Sequence, residues 1–113
     1  MVRSYYQAVG RHDYRAAHAL WNGGRSVAAL ARGYARTRRV AVETIPPYPT
    51  EGAAGSVYCV VKVRVRAELD DGTPQRFAGS YTLRRVNDVD GSTAAQRRWH
   101  IVAGSLKAQP ADA

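Results

Sequence analysis

Residues 56–69 have the sequence SVYCVVKVRVRAEL, which predicts the longest strand of the fold. Its side chains alternate between apolar and mostly polar or charged types, and alternation with a period of two is typical of a β-strand that buries one face. The sequence DDGT at residues 70–73 is a strong hairpin signal, so residues 75–86 are predicted to return as an antiparallel strand. The side chains of the apolar face are Val57, Cys59, Val61, Val63, Val65 and Ala67.

Three short helices are predicted ahead of this hairpin. In residues 2–9 the apolar side chains recur at helical spacing and form one stripe. Asp13 is the expected N-cap of a second helix over residues 14–21, and Ser26 is the expected N-cap of a third. Such side chains accept a hydrogen bond from a backbone N–H of the first helical turn. The Asn22-Gly23-Gly24 sequence breaks the pattern between them.

Further strands are predicted on either side of the central hairpin. Residues 39–45 form a short strand, and the proline-rich residues 46–49 form an extended loop. Residues 97–107 form the last strand. Simple alternation places Trp99, Ile101 and Ala103 on its apolar face, with Val102 and Leu106 on the opposite face.

Helices that precede antiparallel strands indicate an α+β domain, in which the helices pack on one face of the sheet. The length of 113 residues suits a single domain. The domain is predicted to cover residues 1–107, and residues 108–113 are expected to form a disordered tail.

Composition and charge argue against several classes of protein. No apolar run approaches the roughly 20 residues of a transmembrane helix. The single cysteine, Cys59, allows no internal disulfide and is expected to be a small buried hydrophobe. The formal net charge is +8, but the basic residues are scattered from Arg3 to Lys107. The sequence therefore argues against nucleic acid as a partner.

The start of the chain suggests an earlier native start. The first helical stripe begins at Val2 with no capping residue before it. We expect that the natural product begins upstream, with room for a removed export signal or a lipid anchor. In that case the protein would be periplasmic or lipid-anchored, and otherwise cytoplasmic.

The pattern of the whole chain resembles the nuclear transport factor 2-like (cystatin-like) superfamily of α+β cones. Ketosteroid isomerase and the SnoaL-like polyketide cyclases share that fold, and small bacterial domains of unassigned function are the most similar in pattern. The resemblance implies a strongly bent antiparallel sheet and a cavity that opens at one end. The segments that carry it are YYQAV at residues 5–9, DYRAAHALW at 13–21, GYART at 33–37 and the last two strands.

The cavity implied by this resemblance would be lined by aromatic side chains with polar tips. Such a lining suits a small apolar ligand held by a few hydrogen bonds. The alternative interpretation is that most of these aromatic residues are ordinary core. The residues expected around the cavity are Tyr6, Tyr14, His18, Trp21, Tyr34, Tyr81 and Trp99.

Catalysis of the isomerase or cyclase type needs a general base in the cavity, usually an Asp or Glu. No inner-face strand position carries a carboxylate, so no catalytic residue is assigned. The alternative is an isomerase, cyclase or hydrolase that uses His18 together with the hydroxyl of Tyr14 or Tyr81. The histidines have no metal-ligand spacing and no phosphate-binding loop follows a strand, so neither a metal nor a cofactor is predicted.

The outer face of the sheet is mixed in character. Its basic residues alternate with apolar ones such as Val60, which suits a solvated surface or a homodimer interface. An anion- or nucleic-acid-binding face is a further alternative. The leading hypothesis remains a non-catalytic module that binds a small ligand or a protein. The basic residues of the outer face are Lys62, Arg64, Arg66 and Arg84.

Overall fold

The helical part of the chain forms as its capping residues predict. The computed structural model describes residues 1–22 and 26–109. Asp13 accepts a hydrogen bond from the Ala16 N–H at 3.2 Å, and Ser26 accepts one from the Ala29 N–H at 3.1 Å. The helices are α1 (Val2–Gly10), α2 (Tyr14–Ala19) and α3 (Val27–Gly33).

The strands form one antiparallel sheet around the predicted central hairpin. The third and fourth strands pair along their whole lengths, from Ser56 opposite Val86 to Glu68 opposite Pro74. The strands are β1 (Thr37–Ile45), β2 (Thr50–Ala53), β3 (Ser56–Leu69), β4 (Pro74–Val86) and β5 (His100–Gln109). Their spatial order is β1-β3-β4-β5, and β2 pairs with the part of β3 that β1 leaves open. The α+β architecture predicted from the sequence is confirmed.

The core lies between the helices and the apolar face of β3 and β4. The alternation of β3 is reproduced, because Val61, Val63 and Val65 are buried whereas Lys62 and Arg64 are exposed. Cys59 is also buried, and burial raises the pKa of its thiol. The stripe of α1 covers this face with Val2, Tyr5, Tyr6 and Val9.

A β-bulge in β5 overturns the predicted facing of its second half. Leu83 pairs with Ile101 but the preceding Thr82 pairs with Ala103, so Val102 is an extra residue. One extra residue exchanges the two faces of every residue that follows it. Leu106, predicted on the outer face, therefore packs against the core, and Ala103 takes an outer position.

Several predicted boundaries also need correction. Trp99 precedes β5 rather than lying within it, and β5 continues to Gln109, beyond the predicted end at residue 107. Helix α2 ends at Ala19, so Trp21 lies outside it. The short strand β2 was not predicted, since it consists of four residues after a proline-rich loop. Residues 108–109, predicted as the start of the disordered tail at 108–113, belong to β5. Residues 110–113 of that tail, and the two glycines of the predicted helix break at 22–24, fall outside the described residues.

Two strand backbones approach each other closely at Gly79. Gly79 lies on the inner face of β4, opposite Leu106. A Cβ atom at Gly79 would lie only 1.8 Å from the carbonyl oxygen of Ser105 and 2.9 Å from the Leu106 Cα. Both neighbours are backbone atoms, so they cannot move aside as a side chain could. Glycine is therefore required at position 79, where β5 passes so close to β4.

A pair of buried tyrosines joins the helical layer to the sheet. Tyr6 on α1 and Tyr81 on β4 are each about 3–4% exposed, and their hydroxyl groups are hydrogen-bonded at 2.5 Å. Burial, and then the neighbouring Tyr81, raises the pKa of the Tyr6 hydroxyl far above its ordinary value of 10.0. Tyr6 therefore stays neutral in the folded protein at any ordinary pH.

We predict that Gly79→Ala destabilises the protein by about 3 kcal/mol, because the added methyl group forces the β5 backbone away. Urea denaturation measures the loss. Gly52→Ala is the matched control, since no atom lies within 4 Å of a Cβ built there. Equal denaturation midpoints for Gly79→Ala and Gly52→Ala would contradict the requirement for glycine at position 79.

We predict that stability falls above pH 10, because the unfolded Tyr6 ionises there and the folded one does not. Each such tyrosine contributes a slope of about 1.4 kcal/mol per pH unit, and its contribution is intact below pH 10. Tyr6→Phe is expected to cost about 1 kcal/mol at pH 7 and to reduce the alkaline slope.

Denaturant titrations at several pH values between 7 and 11 test this expectation. Tyr48→Phe provides the control, because Tyr48 is 44% exposed. An alkaline slope that is the same in Tyr6→Phe and in the wild type would show that Tyr6 is not responsible.

Candidate functional site

The candidate site is an open cavity of about 630 Å³ between the helices and strands β4 and β5. Aromatic side chains from the helical layer form one side, and the backbone of β5 after its bulge forms the other. The lining residues are Tyr5, Trp21, Leu30, Tyr34, Tyr81, Ala103, Gly104, Ser105 and Leu106.

Trp21 is fixed in this cavity by backbone pairing with β5. The Ile101 N–H donates to the Leu20 carbonyl at 2.8 Å, and the Asn22 N–H donates to the Ile101 carbonyl at 2.9 Å. These two bonds form a parallel bridge between Trp21 and Ile101. Ile101 is fully buried, so the indole is attached to a rigid part of the sheet.

The aromatic rings pack on one another rather than forming an open cage. The ring centroids of Tyr5, Trp21 and Tyr81 are each 6.2 Å apart, and the rings meet edge to face or tilted. These are favourable aromatic arrangements. A triangle of this size has no room for an ammonium group at its centre, so a ligand would lie against the outside of the cluster.

Gly104 allows Tyr81 to lie directly over the backbone of β5. A Cβ at this position would come within 2.7 Å of Tyr81 Cε1 and 3.5 Å of Trp21 Cη2. The bulge places Gly104 on the inner face opposite Tyr81. The wall of the cavity at this point is therefore bare backbone.

The polar groups at the cavity are few and uncharged. The hydroxyl of Tyr81 is bonded to Tyr6, and the hydroxyls of Tyr5 and Tyr34 lie 3.4 Å apart. Trp21 Nε1 is buried and has no hydrogen-bond partner within the described part of the chain. None of the lining residues is acidic. The site therefore offers hydrogen-bonding groups but no carboxylate base.

Of the seven residues expected around the cavity, the structure brings together Trp21, Tyr34 and Tyr81. Tyr6 lies behind Tyr81 in the core. Tyr14 is half-buried, and its hydroxyl is bonded to His12 Nδ1 at 2.9 Å at the exposed side of the helices. Burial raises the pKa of the Tyr14 hydroxyl. His18 is half-buried on α2 and is not among the lining residues.

Trp99 lines a separate apolar groove of about 360 Å³ near the start of α1. The guanidinium carbon of Arg85 lies 5.5 Å from the centre of the Trp99 ring. The other lining residues are Met1, Val2, Arg3, Thr44, Tyr48, Cys59, Val61 and Leu83. The two tryptophans of the chain therefore line different cavities.

The prediction did not include Tyr5, Leu30 or the 103–106 segment. Tyr5 and Leu30 could have been predicted from the sequence, because both lie on the apolar stripes of their helices. The 103–106 segment could not have been predicted, because only the bulge at Val102 turns Gly104 and Leu106 inward.

The outer basic residues differ from one another in their surroundings. Lys62, Arg64 and Arg66 are exposed as predicted, and Arg64 lies 3.6 Å from the carboxylate of Glu43. Arg84 is half-buried and donates to the Ser56 hydroxyl at 3.0 and 3.2 Å. The exposed cations therefore belong to the part of the sheet nearer the β3–β4 turn.

Neither a metal-binding cluster nor a membrane-spanning helix occurs in the residues that the structure describes. There, no group of three or more His, Cys, Asp or Glu side chains is arranged to hold a metal ion. No helix among those residues has the length and apolarity required to cross a membrane.

Comparison with known proteins identifies the fold. No family model matches the chain, and no curated protein matches it either. Among solved structures, a nuclear transport factor 2 (NTF2-like) superfamily protein from Salmonella enterica subsp. enterica serovar Typhimurium str. LT2 is similar, with a TM-score of 0.64 and 11% sequence identity. The alignment covers 96% of this chain and 86% of that protein. The chain therefore has the nuclear transport factor 2-like fold.

Proposed function

We propose that the protein is a non-catalytic module that binds a small, largely apolar ligand in the cavity beside Trp21 and Tyr81. The observation that carries this proposal is the cavity itself. Its volume of about 630 Å³ falls within the range of roughly 300–1,000 Å³ that is usual for small-molecule sites. Its lining is aromatic and aliphatic, with a few hydrogen-bonding groups.

The chemistry of the lining indicates what kind of ligand would fit. A flat apolar body can pack against the outside of the Tyr5, Trp21 and Tyr81 cluster. The hydroxyls of Tyr5 and Tyr34, both lining residues, lie 3.4 Å apart. A ligand carbonyl or ether oxygen that accepts from the Tyr34 hydroxyl would gain one hydrogen bond. The preferred ligand is therefore flat, apolar and equipped with one acceptor.

Binding is favoured over catalysis because the cavity supplies no group that would take a proton near neutral pH. Its titratable side chains are tyrosines, whose ordinary pKa is near 10. The His18 alternative receives no support from the position of that residue on α2, away from the cavity lining. Homodimer formation through the outer face and binding of a protein partner remain predictions.

We predict that the protein binds fluorenone, a flat apolar ketone, and that Leu106→Phe weakens this binding at least about fivefold by filling the cavity. Trp99→Phe should be introduced first, so that Trp21 is the only remaining tryptophan of the two in the sequence. Quenching of Trp21 fluorescence then reports binding next to the cavity wall. Native mass spectrometry of the freshly purified protein would show a molecule retained from the cell.

Val60→Phe is the matched control, because it adds a phenyl ring on the outer face at a site that is 37% exposed. It is expected to change the affinity by less than about twofold. Unquenched Trp21 at saturating fluorenone would overturn the proposed ligand class. Turnover of an enolisable ketone that His18→Ala abolishes would replace binding with catalysis.

A further inference from the structure

A second cavity, of about 590 Å³, lies where β1, β3 and β4 meet near the C-terminal end of α1. It has no lining residue in common with the aromatic cavity. Its lining includes four arginines and one glutamate, so its formal charge is +3. The charged residues of the lining are Arg38, Arg39, Arg66, Arg76 and Glu68.

The one carboxylate of this lining is already engaged. Glu68 forms an ion pair with Arg38, which neutralises the only negative charge among the lining residues. Arg36, beside them in sequence, is paired with Asp70 and Asp71 at 3.3 and 3.2 Å. The acidic side chains at this end of the sheet therefore form ion pairs with Arg36 and Arg38.

Arg39 and Arg66 form no ion pair with any residue that the structure describes. Both are exposed and both line the cavity. Arg39 is the Cα partner of Glu68, two residues from Arg66. The two arginines are therefore diagonal neighbours on one face, with Cα atoms about 7–8 Å apart. Their guanidinium groups can reach a common ligand.

The register brings a third arginine to the same place. Arg76 on β4 is the Cα partner of Arg66 on β3. The side chains of such a pair lie on the same face of the sheet. Each guanidinium presents a planar fork of donors that suits phosphate oxygens.

We infer that this cavity is an anion site, in which Arg39, Arg66 and Arg76 hold a compact group with several adjacent negative charges, such as a pyrophosphate. Arginines from three neighbouring strands face one ligand, and the cavity is wider than a single phosphate needs. The site is independent of the aromatic cavity, so either can exist without the other.

Isothermal titration with inorganic pyrophosphate tests this inference on the full chain. Titrations at about 20 and about 150 mM NaCl should show binding that weakens with salt. The double variant Arg39→Gln/Arg66→Gln is expected to lose affinity by about tenfold or more, since two charge-assisted contacts disappear. Both positions are exposed, so the variant is expected to fold, and thermal melting checks this.

The control removes the same charge elsewhere. Arg15→Gln/Arg32→Gln changes two exposed arginines of α2 and α3, and its affinity should stay within about twofold of the wild type. Equal losses in the two double variants would overturn the inference, because net charge alone would then explain binding. Absence of binding at low salt would overturn it directly. A short single-stranded DNA that binds more tightly than pyrophosphate, and is released by the same double variant, would identify a nucleic-acid surface instead.

Discussion

The backbone of β5 passes so close to Gly79 that position 79 can hold no side chain. The Ser105 carbonyl occupies the space that any side chain at position 79 would need. Because Gly79 has no side chain, β5 can pair with β4 at this point with Leu106 directly opposite. Leu106 then packs against the core beside the helices.

The bulge at Val102 and the glycine at position 104 create a second close approach, between β5 and Tyr81. The bulge turns Gly104 inward, and the missing side chain lets the Tyr81 ring lie over the strand. Tyr81 then reaches Tyr6 behind it and Trp21 beside it. Three local features of the backbone therefore decide that aromatic rings meet at this place, and the hydrogen bonds of Trp21's neighbours to Ile101 fix the last of those rings.

The sequence was sufficient for the architecture because that architecture follows from periodicity. The strand from Ser56 to Leu69 was predicted with its observed limits, and Asp13 and Ser26 cap their helices as expected. The site was harder to predict. Trp21, Tyr34 and Tyr81 could be assigned from their stripes, but the inward turn of Leu106 depends on one unpaired residue. A pattern of period two contains no information about where a bulge occurs.

The same alternation that builds the core also separates two kinds of chemistry. Along β3, Val63 and Val65 point into the apolar layer while Arg64 and Arg66 point out of it. The inner face can gather neutral aromatic rings only because the cations are held on the other side, where water lowers the cost of their charge. On that outer face the register of β3 and β4 sets Arg66 opposite Arg76, so the charges of the two strands collect on the surface that faces away from the aromatic cluster.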